Sequence, residues 1–321
     1  MFRLGLPHGH LWIKESADGR FMALARGPNG GINLIAAPRI LRYARIALAW
    51  IVLLAGPGNG AFAAPIAVTP PVLYAQATVK PSGSHSLPSA AAWRYAPRTA
   101  IFTRAINRAA ARFQTINQYH TWVRMLWSPG VLYVRFTCRG TPHGITFRAN
   151  NQKLYQQDVV EIFLDVVGTM QNYVEIEVSP HGFHTVFRHH WVKPPTYPAN
   201  AINWQQAAEN HQESLWHIAG LRTTAKLLEK HGKKTGWEAT LAIPIGPMSK
   251  LSHGARTLQR QEHLRANFVR YVYLPGPHGQ RILHQLNWVP TMLGEPHESP
   301  MAMGTIILTA TRHPNQRGRS H

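Results

Sequence analysis

The chain has 321 residues, and a composition of 45% hydrophobic and 10% aromatic side chains excludes wholesale disorder. Its 24 Pro and 25 Gly, spread along the sequence, argue against a helical bundle, and a single cysteine, Cys138, excludes a disulfide framework and Cys-rich zinc sites. With 34 Lys and Arg against 14 Asp and Glu the surface attracts polyanions; the cations are scattered singly, however, without a helix-turn-helix or an aromatic single-strand motif, so no nucleic-acid partner is expected.

In chain order, residues 1–63 read as an N-terminal extension ending in a signal peptide. Arg39, Arg42 and Arg45 precede an apolar run over residues 46–55, and Ala61-Phe62-Ala63 fits the small-x-small rule for cleavage before Ala64. The run falls short of the roughly 18 residues that span a bilayer, so no permanent membrane anchor is expected and the mature chain is placed in the periplasm or outside the cell. Residues 1–38 are not expected to join the domain. Residues 1–63 hold seven of the cations and two of the acids, which leaves 27 positive and 12 negative side chains.

Residues 64–94, rich in Pro and Ala, read as a linker, and residues 95–312 as one β-sandwich. Within it, period-two alternation predicts strands over residues 121–127, 131–139, 159–166, 173–179, 183–188, 215–223, 237–243, 266–273 and 304–308. Residues 100–113 and 248–256 are expected as short helices. The fold class is all-β: an antiparallel sandwich of jelly-roll or immunoglobulin-like type with one or two short helices. The basic stretch 313–321 reads as a disordered tail, and Cys138, on the apolar parity of its strand, as an inert buried thiol.

Five of the 12 acids after residue 63 fall between Asp158 and Glu177. Alternation puts Glu161, Phe163 and Asp165 on one face of the first strand and Tyr173, Glu175 and Glu177 on one face of the next, so an antiparallel hairpin presents the carboxylates on one surface. Like charges across strands are destabilising, so an offset is required. It is either a ladder of ion pairs with Arg135, Arg188 or Arg270, or a ligand: sugar hydroxyls, or calcium on hard oxygen donors. A glycosidase acid/base pair is the enzymatic variant, but nothing marks one carboxyl as a general acid, and no enzymatic activity is expected.

At these residues the chain resembles the family 9 carbohydrate-binding modules and their stand-alone periplasmic relatives. The matching stretches are Trp127 with residues 131–136, then 154–165, 172–180, 236–244, 265–270, 288–291 and 300–304. The resemblance implies a β-sandwich that holds a sugar or polysaccharide chain end between two aromatic rings, in support of carbohydrate catabolism. It implies Tyr155 as the first ring, three residues before Asp158, with Glu161 as its partner carboxylate, and Trp288 as the second ring. Glu175 shares the carboxylate surface, Arg188 and Arg270 are candidate hydroxyl donors, and Asn172 lines the same face. The family's calcium-friendly loop is replaced here by Gly168-Thr169-Met170-Gln171, so no cofactor is expected, with calcium there only weakly supported.

Trp191 and Trp204 flank a Pro-rich stretch, residues 193–198, that reads as a lid over the sugar. His189 and His190, adjacent in a strand, point to opposite faces, and no metal is expected at them. The expected partner is a sugar or polysaccharide, an anionic glycan included, bound by a monomer. The alternative is a DOMON-like electron-transfer domain holding b-type haem, with Met170, His184, Met301 and Met303 as candidate ligands.

Overall fold

In the computed structural model, residues 70–79, 87–107, 112–192, 210–248, 251, 257–291 and 302–310 are described, together with the backbone of four strands among residues 2–35. The chain divides into two compact units, Met1–Ala64 and Pro65–His321. In the first, β1 (Phe2–Leu6), β2 (Gly9–Glu15), β3 (Phe21–Arg26) and β4 (Ile32–Ile35) form an antiparallel meander. The predicted signal run and its cleavage point lie outside the described residues, as do the tail 313–321, the stretch 193–198, Trp204 and Met301. Among the described residues no helix is long and apolar enough to cross a membrane.

The second unit carries β5 (Val72–Ala77), α1 (Ala90–Arg94), β6 (Arg104–Asn107), β7 (Arg112–Gln114), β8 (Thr121–Ser128), β9 (Val131–Arg139), β10 (Val159–Asp165), β11 (Asn172–Val178), β12 (His184–Trp191), β13 (His211–Leu215), β14 (Arg222–Lys230), β15 (Lys233–Pro244), α2 (Ile245–Met248), β16 (His263–Pro275), β17 (Arg281–Asn287) and β18 (Gly304–Thr309). Twelve of these strands join one sheet in the order β13-β12-β11-β10-β16-β18-β5-β8-β9-β15-β14, with β17 pairing β16 beside it. The sheet curls until its two halves face each other across one core. Phe136 of β9 meets Phe268 of β16 edge to face at 5.8 Å, and Val134, Ile162, Ile176, Leu241 and Ile306 fill the same layer. The sandwich is thus all-β, with antiparallel pairing everywhere in this sheet except at β5, which runs parallel to both β18 and β8.

Several sequence expectations are corrected. Part of the stretch read as linker is structural: β5 closes the sheet, and α1, capped by the Ser89 hydroxyl, lays Trp93 over Tyr133, Leu126 and Ala242 on the far side of β8–β9–β15. The helix expected over residues 100–113 is replaced by the β6–β7 hairpin, whose pairing satisfies the backbone groups a helix would have used. The strand expected over 215–223 is two strands, β13 and β14, separated by a turn in which Gly220 takes φ +80°. Gly236 allows close approach of β15 to β9, since a Cβ there would collide with the Cys138 carbonyl. Cys138 itself is fully buried, and burial pushes its thiol up to about 12.

Candidate functional site

Alternation on β10 assigns the two faces of the sheet. Val160, Ile162 and Leu164 enter the main core, while Val159, Glu161, Phe163 and Asp165 point the other way. Pairing with β11 sets Glu161 opposite Glu177 and Phe163 opposite Glu175. Tyr173 pairs with His189, His189 with Glu213, and Trp191 with His211. This second face therefore gathers five carboxylates, Glu161, Asp165, Glu175, Glu177 and Glu213, and two imidazoles from four consecutive strands.

The face is walled rather than open. Leu154, Val159, Phe163, Tyr173, Trp191, Val269, Tyr271 and Met303 pack into a second apolar cluster on it, and the 3₁₀ turn Leu154–Gln156 covers its end. In this setting Glu161 and Glu177 are each 1% exposed, and Glu175 is buried beside them. One carboxylate oxygen from each of the three lies within 4.8 Å of the others. Glu177 is held well above the usual glutamate range, first by burial and then by the charges of Glu175 and Glu213; the amides of Tyr155 and Leu154 act in the opposite direction.

A relay of rings runs along the face. His189 Nε2 lies 2.9 Å from Glu175 Oε2, its Nδ1 lies 2.9 Å from His211 Nε2, and Glu213 Oε2 is 3.9 Å from the same Nδ1. The two imidazoles are parallel to within 1° at 5.1 Å, the geometry of an in-plane hydrogen bond rather than a stack. An ionised Glu175 only accepts, so His189 donates from Nε2, and a neutral His189 accepts at Nδ1 from His211. Tyr173 stacks on His189 at 4.8 Å, Trp191 stacks on His211 at 4.6 Å, and Trp191 Nε1–H donates to the Tyr173 hydroxyl at 3.0 Å.

Of the residues singled out from sequence, Glu161, Glu175 and Trp191 share this face, and Tyr155 sits at its rim. Tyr155 is 36% exposed and its carbonyl accepts from the Tyr273 hydroxyl at 2.7 Å, while the Arg281 guanidinium lies 4.5 Å over the Tyr273 ring. The other four stand elsewhere. Arg188 pairs with Val174 and is exposed on the opposite face, and Asn172 bonds His190 on that side. Trp288 packs on Phe268 at 5.2 Å in the main core.

Arg270 pairs with Val160 and therefore points inward, where Nε and Nη2 donate to Asp158 at 3.2 and 3.1 Å and Nη1 donates to the Arg139 carbonyl at 2.6 Å. The expected ladder of cations opposite the carboxylates is thus reduced to one inward pair, Arg270 with Asp158. Arg135 lies 4.5 Å over the Trp93 ring instead. Asp165, the fifth acid, is spent on the β10–β11 turn: Oδ1 accepts from the amides of Val167 and Gly168, both at 2.8 Å, and Oδ2 from Met170 at 2.6 Å. Gly168 at φ +83° lets that turn close. Of the candidate haem ligands, His184 bonds Thr223 on the core-side parity of β12, whereas Met303 lies in the second-face cluster.

Sequence reading missed His211 and Glu213, because the edge strand β13 has no apolar alternation to announce it. Pairing sets His189 between two carboxylates, Glu175 from β11 and Glu213 from β13. Tyr273 reads from sequence only as the last residue of a predicted strand, and Arg281 lies outside every predicted strand.

No protein-family model matches the chain, and no curated protein matches it. Solved structures do. A protein from Bacteroides uniformis assigned as carbohydrate-binding superimposes with a TM-score of 0.52 at 13% identity, over 75% of this chain and 100% of its own. A family 9 carbohydrate-binding module from Caldicellulosiruptor kristjanssonii, in complex with glucose and with cellotriose, aligns in each case at a TM-score of 0.42 and 16% identity, over 77% and 78% of this chain and 100% of the module. The Bacteroides likeness shows a shared fold.

Proposed function

We propose that this protein is a non-catalytic carbohydrate-binding β-sandwich that receives a sugar at the rim of the second face, between Tyr155 and the carboxylates of Glu161 and Glu175. The observation that carries the reading is the exposed Tyr155, whose backbone amide faces Glu177, beside the buried carboxylates on one face of the β10–β11 hairpin. Sugars offer an apolar face that stacks on a ring and hydroxyls that donate to carboxylates, and this rim supplies both. Tyr273 and Arg281 extend it with a second ring and a cation. The Bacteroides protein, assigned as carbohydrate-binding, supports sugar binding in general. The chain then acts outside the cytoplasm, after cleavage near Ala63, as a monomer serving carbohydrate uptake or breakdown.

The test is a glycan array probed with the full-length protein, followed by titration of the best hit into the wild type and Tyr155→Ala. Retention of a defined glycan, weakened by about 1–3 kcal/mol in the variant, supports the site. No retained glycan, or equal affinity in both proteins, refutes it.

A further inference from the structure

We infer that Glu161, Glu175 and Glu177 form a binding site for a hard divalent cation, of the calcium or manganese class, in the floor of the second face. Three carboxylates on adjacent strands would not alone suggest an ion. What points to one is Glu177: it is 1% exposed, it is aimed at the other two, and although the amides of Tyr155 and Leu154 act on it, no hydrogen bond of ordinary geometry reaches either of its oxygens. A buried charged group is normally paired or bound to a metal.

The charged groups acting most strongly on Glu177 are two further carboxylates, Glu175 and Glu213, so the protein's own charges aggravate the repulsion. The neighbouring cation that could have relieved it, Arg270, is committed to Asp158 on the opposite face.

The geometry suits an ion. Oxygens on opposite sides of calcium, each at about 2.3–2.6 Å, stand about 4.6–5.2 Å apart, and adjacent ligands lie closer. One oxygen from each of the three glutamates falls within 4.8 Å of the others, which brackets a single cation. The donors are all carboxylate oxygens, which favours hard cations over soft ones. His189 is a positioning residue here: its Nε2–H holds Glu175 at 2.9 Å, and His211 fixes the ring in turn, as outer-shell partners do around metal ligands. Glu213, 3.9 Å from His189, lies at the edge strand with its side chain 42% exposed, and adds negative charge to the approach. This site stands whether or not a sugar binds at the rim.

The test uses metal ions alone. Full-length protein, stripped with chelator, is titrated at pH 7 with MnCl₂ followed by electron paramagnetic resonance, and with CaCl₂ followed by calorimetry. The expected result is one ion per chain, mutual competition between the two ions, and an affinity at least about tenfold weaker in Glu177→Gln. Glu161→Gln gives a second variant should the first not fold. No uptake at millimolar Mn²⁺ and Ca²⁺ overturns the inference, as does unchanged affinity in a folded Glu177→Gln or Glu161→Gln. Uptake of Zn²⁺ alone, lost in His189→Ala, would overturn the oxygen-donor assignment.

Discussion

Two buried charge clusters lie back to back on the same strands. On the inner face, Asp158 and Arg270 are both 0% exposed, and the guanidinium is filled by Asp158, the Arg139 carbonyl and the Thr121 hydroxyl, with the Tyr119 and Trp237 rings 5.4 and 5.8 Å from it. On the other face, Glu161, Glu175 and Glu177 crowd together, with His189 bonded to Glu175. The difference separates structure from function. A charge pair with its hydrogen-bonding capacity filled specifies the core, whereas at Glu177 burial beside Glu175 and Glu213 sets like charges against one another.

The comparison breaks most sharply under mutation of the inner pair. Asp158→Asn strands the Arg270 guanidinium in the core and is expected to cost about 3–5 kcal/mol of unfolding free energy in urea titration. Trp288→Ala, which removes a core ring packed on Phe268, is expected to cost about 3–5 kcal/mol and to leave the second face unchanged. Glu177→Gln has the opposite sign. In metal-free protein it replaces a buried, repelled carboxyl by an amide, and a gain of about 1–3 kcal/mol is expected by the same titration.

The pH dependence follows from the direction of the Glu177 shift. A carboxyl raised on folding stabilises the native state most below the ordinary glutamate value of about 4.3, and this contribution is lost as pH rises through the raised value. Metal-free protein should therefore lose thermal stability from about pH 4.3 upward through that range. The charges of Glu175 and Glu213 act on the same carboxyl, so the assignment rests on the difference from Glu177→Gln, whose profile should be flatter over this window. A parallel profile in the variant would refute it. The smallest stability effect is expected at the rim, where Tyr155→Ala, at an exposed position, should leave unfolding unchanged and weaken only sugar binding.

Much of this arrangement is legible in the sequence, and the limits are physical. Alternation within residues 159–165 and 172–178 is enough to put Glu161, Glu175 and Glu177 on one surface, because the strand period is two and the turn between them is short. The same rule fails to place Arg188, Arg270 and Trp288, since a residue's face depends on cross-strand register. Register makes Val174, Val160 and Phe268 their neighbours and turns all three away from the carboxylates. β5 escapes notice because a six-residue strand among prolines has no turn signals of its own, and its parallel partners are far off in sequence. His211 and Glu213 become visible only once β13 is seen to pair with β12.

The most direct measurement compares glycan retention by wild type, Tyr155→Ala and Arg188→Ala, all full length, on one array. Binding at the second face predicts a retained glycan in the wild type, loss of signal in Tyr155→Ala and an unchanged signal in Arg188→Ala, whose side chain lies on the opposite face. Loss in Arg188→Ala with retention in Tyr155→Ala would move the site to the other side of the sheet and contradict the account.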